Sequence, residues 1–176
     1  RRLGRALFLR LIDPGVTEQD TTRRRAALSE LSLPDAKQTA IIREATDAFI
    51  AARLLITNEV AGTTTVEVSH EALIREWKRL ADWLAEARED IHLQQAISED
   101  VAEWERRGKP KDRLYRGSQL KEANVWATHN IPSKNEVAFL RASAAQRIRS
   151  VVSMLAVLLL IVCLLYTSPS PRDRQK

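Results

Sequence analysis

From Val151 to Leu165 the chain carries an uncharged run of 15 residues, VVSMLAVLLLIVCLL. Leu158 to Val162 are apolar all round, so a helix built from them has no face to offer water. Such a segment belongs either in a protein core or in a bilayer. The run is a little short of the roughly 20 residues that a spanning helix needs. Arg141, Arg147 and Arg149 stand immediately before it, where basic residues mark the cytoplasmic side of a span. The pattern predicts a truncated transmembrane helix over 148–165, with Val151–Val162 in the membrane. The protein would then be a single-pass inner-membrane protein with its N-terminal part in the cytoplasm. A buried C-terminal helix is the alternative.

The end of the chain, CLLYTSPSPRD from Cys163 to Asp173, resembles the translation of a transposase-type sequencing-library adapter. On that resemblance residues 163–176 are an artefact, and the biological sequence leaves this one near Val162. The alternative is a proline-rich linker. There is no initiating Met and no signal peptide pattern, so the chain is expected to begin inside a longer protein.

The remaining residues exclude several chemistries. The five glycines, Gly4, Gly15, Gly62, Gly108 and Gly117, are far apart, which rules out a glycine-rich phosphate loop. A single cysteine excludes a disulfide framework and a multi-cysteine metal site. His70, His92 and His129 lack the i, i+4 spacing of a helical metal site, and no catalytic constellation is present. The net charge of +5 is spread unevenly. Residues 1–25 carry 7 basic and 3 acidic groups, 61–107 carry 6 and 11, and 108–150 carry 9 and 3. A nucleic-acid binder would have one continuous basic face; this patchwork suits surfaces that meet other domains.

Periodicity divides the chain. Leu3, Leu7, Phe8 and Leu11 make a helical stripe that ends at the Asp13-Pro14-Gly15 turn. Thr21 to Arg25 is polar and extended. Ala27, Leu28 and Leu31 predict a short second helix, stopped at Leu33-Pro34. Asp35 caps a third, with Ile41, Ala45, Ala48, Phe49 and Ala52 as its apolar face. Leu55-Ile56-Thr57 and Val66-Glu67-Val68 read as strands around an Ala61-Gly62-Thr63 turn. From Glu71 the period turns helical. Leu73, Ile74, Trp77, Leu80 and Leu84 form one face, and Leu93, Ala96, Ile97, Val101 and Trp104 another, with a break expected at Arg88-Glu89-Asp90. Gly108-Lys109-Pro110 ends that helix. Ser118 is placed to cap the next one, and Ser133-Lys134-Asn135-Glu136 has the form of a capping box. The fold class is therefore mainly α. A winged-helix-like domain of three helices plus a β-hairpin (1–86) precedes a helical arm (87–147) and the apolar helix.

His70 lies at the strand-to-helix switch in TVEVSHEALIREW. Free backbone N–H groups at a helix start suit contact with an anion, although a structural histidine fits the same position. Trp77, Trp83, Trp104 and Trp126 fall within apolar helical patterns, as core residues do.

LFLRLIDPG, TTRRRAALSEL, AARLLITN, VEVSHEALIREWKRLADWL, AEWERRG and LYRGSQLKEA together resemble one family. It is the segment that follows the nucleotide-binding domain in bacterial STAND signalling NTPases ending in WD-repeat β-propellers, and the likeness covers roughly Arg2 to Arg147. It implies a regulatory, interdomain-coupling fragment of a membrane-anchored ATPase. The partners would be the protein's own upstream nucleotide-binding domain and downstream propeller. In such proteins the winged helix folds back on the nucleotide domain, and a Met-His-Asp-like motif meets the β-phosphate of ADP. Ser69-His70-Glu71 is similar in placement, with Ser for Met and Glu for Asp, which makes His70 a candidate ADP phosphate sensor. The resemblance implies no catalysis and no cofactor in the fragment itself, with ATP or ADP and Mg in the intact parent. Two alternatives remain: a membrane-tethered winged-helix DNA-binding regulator and a helical adaptor. Against the first, Lys37, Arg43 and Arg53 on the third helix are offset by Asp35, Glu44 and Asp47, a poor match to phosphates.

Overall fold

The computed structural model describes residues 2–17 and 20–167. Among the described residues, six α-helices and five short strands follow one another as α1 (Arg2–Arg10), β1 (Ile12–Asp13), β2 (Thr22–Arg23), β3 (Ala26–Ala27), α2 (Ala36–Ala51), β4 (Leu55–Val60), β5 (Thr63–Val68), α3 (Ala72–Glu76), α4 (Lys78–Arg106), α5 (Gly117–His129) and α6 (Lys134–Thr167). The fold is mainly α, as the periodicity predicts.

The β-hairpin is close to the sequence expectation. Val60 pairs with Thr63 across a two-residue turn, in which Ala61 (φ 50°) and Gly62 (φ 75°) are both left-handed. This is the turn geometry that matches the twist of the flanking strands. A third strand joins it: β3 pairs antiparallel with β5, giving the order β3-β5-β4. The expected second helix is one 3-10 turn over Leu28–Leu31, with Ala27 in β3 instead. Six residues between β3 and Pro34 leave room for a single turn, for which 3-10 geometry serves. The polar stretch before β3 also pairs, as β2 against β1.

Asp35 caps α2, its Oδ1 accepting from Lys37 N at 2.9 Å. The buried side of α2 is turned from the predicted one, which keeps Phe49 and Ala45 half-buried but not Ile41. Ile42 and Thr46 are buried while Ile41 is 53% exposed. Thr46 is tolerated inside because its hydroxyl donates to Ile42 O at 2.8 Å, so the polar atom is satisfied.

The helix break predicted at Arg88–Asp90 falls at Trp77 instead (φ −87°, ψ 88°), and α4 continues without interruption to Arg106. The reason is visible in its buried positions. Leu80, Leu84, Ala87, Ile91, half-buried Gln94, Ser98 and Val101 recur at alternating spacings of four and three, a seam that stays on one side of the helix. Glu89 and Asp90 fall on the exposed side, and Arg88, next to Ala87, is half-buried and donates to the Pro14 and Gly15 carbonyls. At its C-terminus Lys109 N donates to Trp104 O at 2.8 Å, with Gly108 and Lys109 at φ 78° and 64°, the expected left-handed stop.

Two hydrophobic clusters share α4. The first joins Leu7, Phe8, Leu11, Ile42, Leu55, Val66 and Val68 to the seam as far as Ile91. Phe8 stands edge-on to both Phe49 and Trp77, at 5.1 and 5.0 Å between ring centroids. The second begins at Ile97 and gathers Trp104, Tyr115, Leu120, Trp126 and Phe139, with Phe139 edge-on to Trp104 and Tyr115. Trp83 packs against the first cluster, so all four tryptophans serve packing.

The last helix starts with the predicted capping box. Ser133 Oγ accepts from Glu136 N at 3.2 Å, and Glu136 Oε2 accepts from Ser133 N at 2.6 Å. Ser118, by contrast, lies inside α5, whose cap position is Arg116. Beyond the second cluster α6 leaves the body. From Ile148 to Leu164 its large apolar side chains are exposed. It is long and apolar enough to cross a membrane; the 18 residues after Arg149 rise about 27 Å, against roughly 30 Å of hydrocarbon. Residues 168–176, most of the stretch resembling an adapter, lie outside the described residues.

Candidate functional site

Two places attract attention: the junction that holds His70 and a buried polar cluster where the two halves of the molecule meet.

The junction forms because β5 ends where α3 begins. Ser69 anchors it, its N–H donating to Leu54 O at 3.0 Å and its hydroxyl donating to Arg53 O at 2.7 Å. Both acceptors lie in the connection from α2 to β4, where Arg53 sits at φ 59°. His70 follows with its side chain exposed and its carbonyl accepting from Leu73 N at 3.1 Å. The imidazole has no hydrogen-bond partner among the described residues. Arg23 Nη1 reaches Ser69 O at 3.4 Å, and Arg75, one turn on, lines a cleft of about 280 Å³ with Thr21 and Arg88. Glu67 on β5 is buried beneath this edge, held by Arg25 at 3.2 Å and by Asn58 Nδ2 at 2.9 Å. The structure thus leaves the His70 side chain exposed and outside the packed core.

His92 and His129 are elsewhere. His129 Nδ1 lies 3.0 Å from Val125 O on α5, and His92 is exposed on α4. Among the described residues no group of three or more His, Cys, Asp or Glu side chains could hold a metal ion.

The second place was not legible as a site. Arg10, the last residue of α1, is only 3% exposed, and Glu136, in the first turn of α6, 1%. They meet as a two-pronged pair: Nη1 to Oε1 and Nη2 to Oε2, both at 2.9 Å. Arg10 Nη2 also donates to Ile131 O at 2.9 Å, and Gln94, its amide oxygen turned inward, accepts from Nη1 at 2.8 Å. Glu136 further accepts from Ser98 Oγ at 2.7 Å. Gln94 and Ser98 occupy the seam of α4 between the two apolar clusters, where its stripe turns polar. Burial alone would raise the Glu136 carboxyl. The Arg10 charge, with hydrogen bonds from Arg10, Ser133 and Ser98, outweighs that and holds it below the usual glutamate value. A neighbouring bond, Lys134 N to Ser32 O at 2.7 Å, ties the same end of α6 to the turn before α2. Sequence alone offered one trace of this cluster, the polar residues Gln94 and Ser98 at inward-facing seam positions.

A second, half-buried polar contact lies at the far cluster. Tyr115 donates its hydroxyl to Asp100 at 2.6 Å. Burial first, and then Asp100, push its phenol well above the ordinary tyrosine value.

The model of the family described as Novel STAND NTPase 1 matches residues 1–112. This chain belongs to that family. The match spans α1 through α4 and includes His70, Arg10 and the seam residues, and it stops short of α5 and α6. No curated protein and no solved structure matches the chain.

Proposed function

We propose that this chain is the regulatory and coupling region of a membrane-anchored STAND-type signalling ATPase. In this reading residues 1–86 are a winged helix, 87–147 a helical arm, and the apolar part of α6 a single-pass anchor. The observation that carries it is the buried Arg10–Glu136 pair. It joins the helix that opens the chain to the root of the helix that leaves it. A displacement of α1 by a neighbouring nucleotide-binding domain would then reach α6 through two hydrogen-bonded charges rather than through a flexible linker.

The winged-helix assignment is supported by α1, β3, the Leu28–Leu31 turn, α2 and the β4–β5 hairpin following in that order, with β3 pairing against β5, the second hairpin strand. The nucleotide would be held mainly outside this chain, whose scattered glycines form no phosphate loop. From this side, His70 supplies a ring N–H to the terminal phosphate of ADP, and Arg23, which donates to the Ser69 carbonyl at the same junction, adds a positive charge. Loss of that contact on exchange for ATP would release the closed arrangement, and a differential of about 1–3 kcal/mol suffices for such a switch.

The test is His70→Ala in the intact protein, with ADP dissociation and basal output measured together. Faster ADP release or constitutive output is expected. Unchanged retention with unchanged output would refute the sensor role. ATP turnover by this chain alone would refute the regulatory assignment.

A further inference from the structure

Where α6 leaves the folded body it forms a groove with α5. The two helices are antiparallel neighbours joined by residues 130–133. Just before α5, Tyr115 N donates to Ser143 Oγ at 3.1 Å, so the start of α5 lies beside the part of α6 that precedes the apolar run. Leu120, Asn124, Arg147, Ile148, Val151 and Val152 line a groove of about 360 Å³ there.

Its chemistry is split. Ile148, Val151 and Val152 are 64%, 45% and 59% exposed and continue into the outward apolar surface of α6. Asn124 and Arg147 supply the polar end. Arg113 and Arg116 precede α5, and Arg116, at its cap position, makes no side-chain capping bond. Arg149 follows on α6. Glu136 neutralises none of this charge, because its carboxylate is turned inward onto Arg10. Glu122 is the acidic residue on α5.

An occupant must be apolar at one end and anionic at the other, and must be found where an apolar helix enters its surroundings. A bilayer phospholipid with a net negative headgroup has that form, and basic pockets beside spanning helices suit such headgroups. We propose that this groove is a docking site for an anionic phospholipid. An acyl chain lies along Ile148, Val151 and Val152, and the phosphate meets Arg147 and the Asn124 amide. The inference rests on the membrane-anchored reading above.

The full chain is first floated with vesicles of pure phosphatidylcholine, and then reconstituted in an equimolar mixture of phosphatidylcholine and phosphatidylglycerol. Native mass spectrometry of the extracted protein reads which lipid is retained. Flotation with both vesicles and retention of phosphatidylglycerol over phosphatidylcholine are expected. Arg147→Gln should lower that preference about fivefold, the effect of one basic residue at an anionic surface. Arg149→Gln, which lies outside the groove lining, should leave most of it. Equal retention of both lipids by the wild-type chain would overturn the groove assignment alone. So would equal losses in the two variants, which would indicate general charge attraction. Failure to float with either vesicle would overturn the anchored reading and the groove with it.

Discussion

Replacing Glu136 by alanine removes the acceptor of two Arg10 bonds and of the Ser98 hydroxyl. It leaves a guanidinium that is 3% exposed with only Ile131 O and Gln94 as partners. Breaking one side of a buried pair costs about 3–5 kcal/mol, because the remaining charge stays desolvated. Of that, about 1 kcal/mol is the lost capping box at the start of α6. For a chain of this size the loss corresponds to a fall in Tm of roughly 10 °C. The assay is thermal unfolding of the full chain in mild detergent, followed by tryptophan fluorescence, since Trp104 and Trp126 sit in the cluster that Phe139 on α6 completes. Arg10→Met should cost a similar amount from the other side, without touching the cap. The double variant Arg10→Met with Glu136→Leu separates charge from packing. It should be more stable than either single variant, because no uncompensated charge remains. A cost below about 1 kcal/mol for both single variants, or a double variant as unstable as the sum of the two, would show that the pair does not hold the halves together.

The same carboxylate sets an acid limit. Its folded-state pKa lies below the unfolded value, so its stabilisation is fully present above the ordinary glutamate pKa of about 4.3 and is lost as pH falls below that through the folded value. Glu136→Gln should flatten the acid limb of a stability-against-pH curve; an unchanged limb would assign the acid loss to other carboxylates. In the hairpin, Ala61 occupies a left-handed turn position at φ 50°, a conformation that costs an L-residue about 1–2 kcal/mol. Ala61→Asn should raise stability by about 0.5–1 kcal/mol, since Asn tolerates this turn; a lower unfolding midpoint in urea would contradict that geometry.

Much of the local structure was legible from the residues. The Ser133–Glu136 box, the Asp35 cap, the Gly108 stop and the Ala61-Gly62 turn each depend on a few neighbouring residues whose side chains or φ preferences act on their own backbone. Errors arose where the choice between faces was not local. On α2, Ile41 and Ile42 are adjacent and equally apolar, and only the position of the hairpin and the Leu28–Leu31 turn decides which one is covered. On α4, Arg88-Glu89-Asp90 looked like an interruption. The seam from Leu80 to Val101 shows it to be part of one continuous helix, with Glu89 and Asp90 exposed and Arg88 half-buried against the Pro14 and Gly15 carbonyls.

By itself, then, the sequence determined the helical content, the ends of most elements, the long apolar helix and the strand-to-helix position of His70. Those follow from short-range chemistry: periodicity, capping and turn conformation. Only the tertiary structure decided that Arg10 and Glu136, 126 residues apart, form one pair. A charged residue in an amphipathic helix reads as surface unless a partner of opposite charge is known to arrive from elsewhere. Which partner arrives is set by how α1 and α6 pack against the polar stretch of the α4 seam. That pairing ties the first helix of the chain to the last, and no local pattern records it.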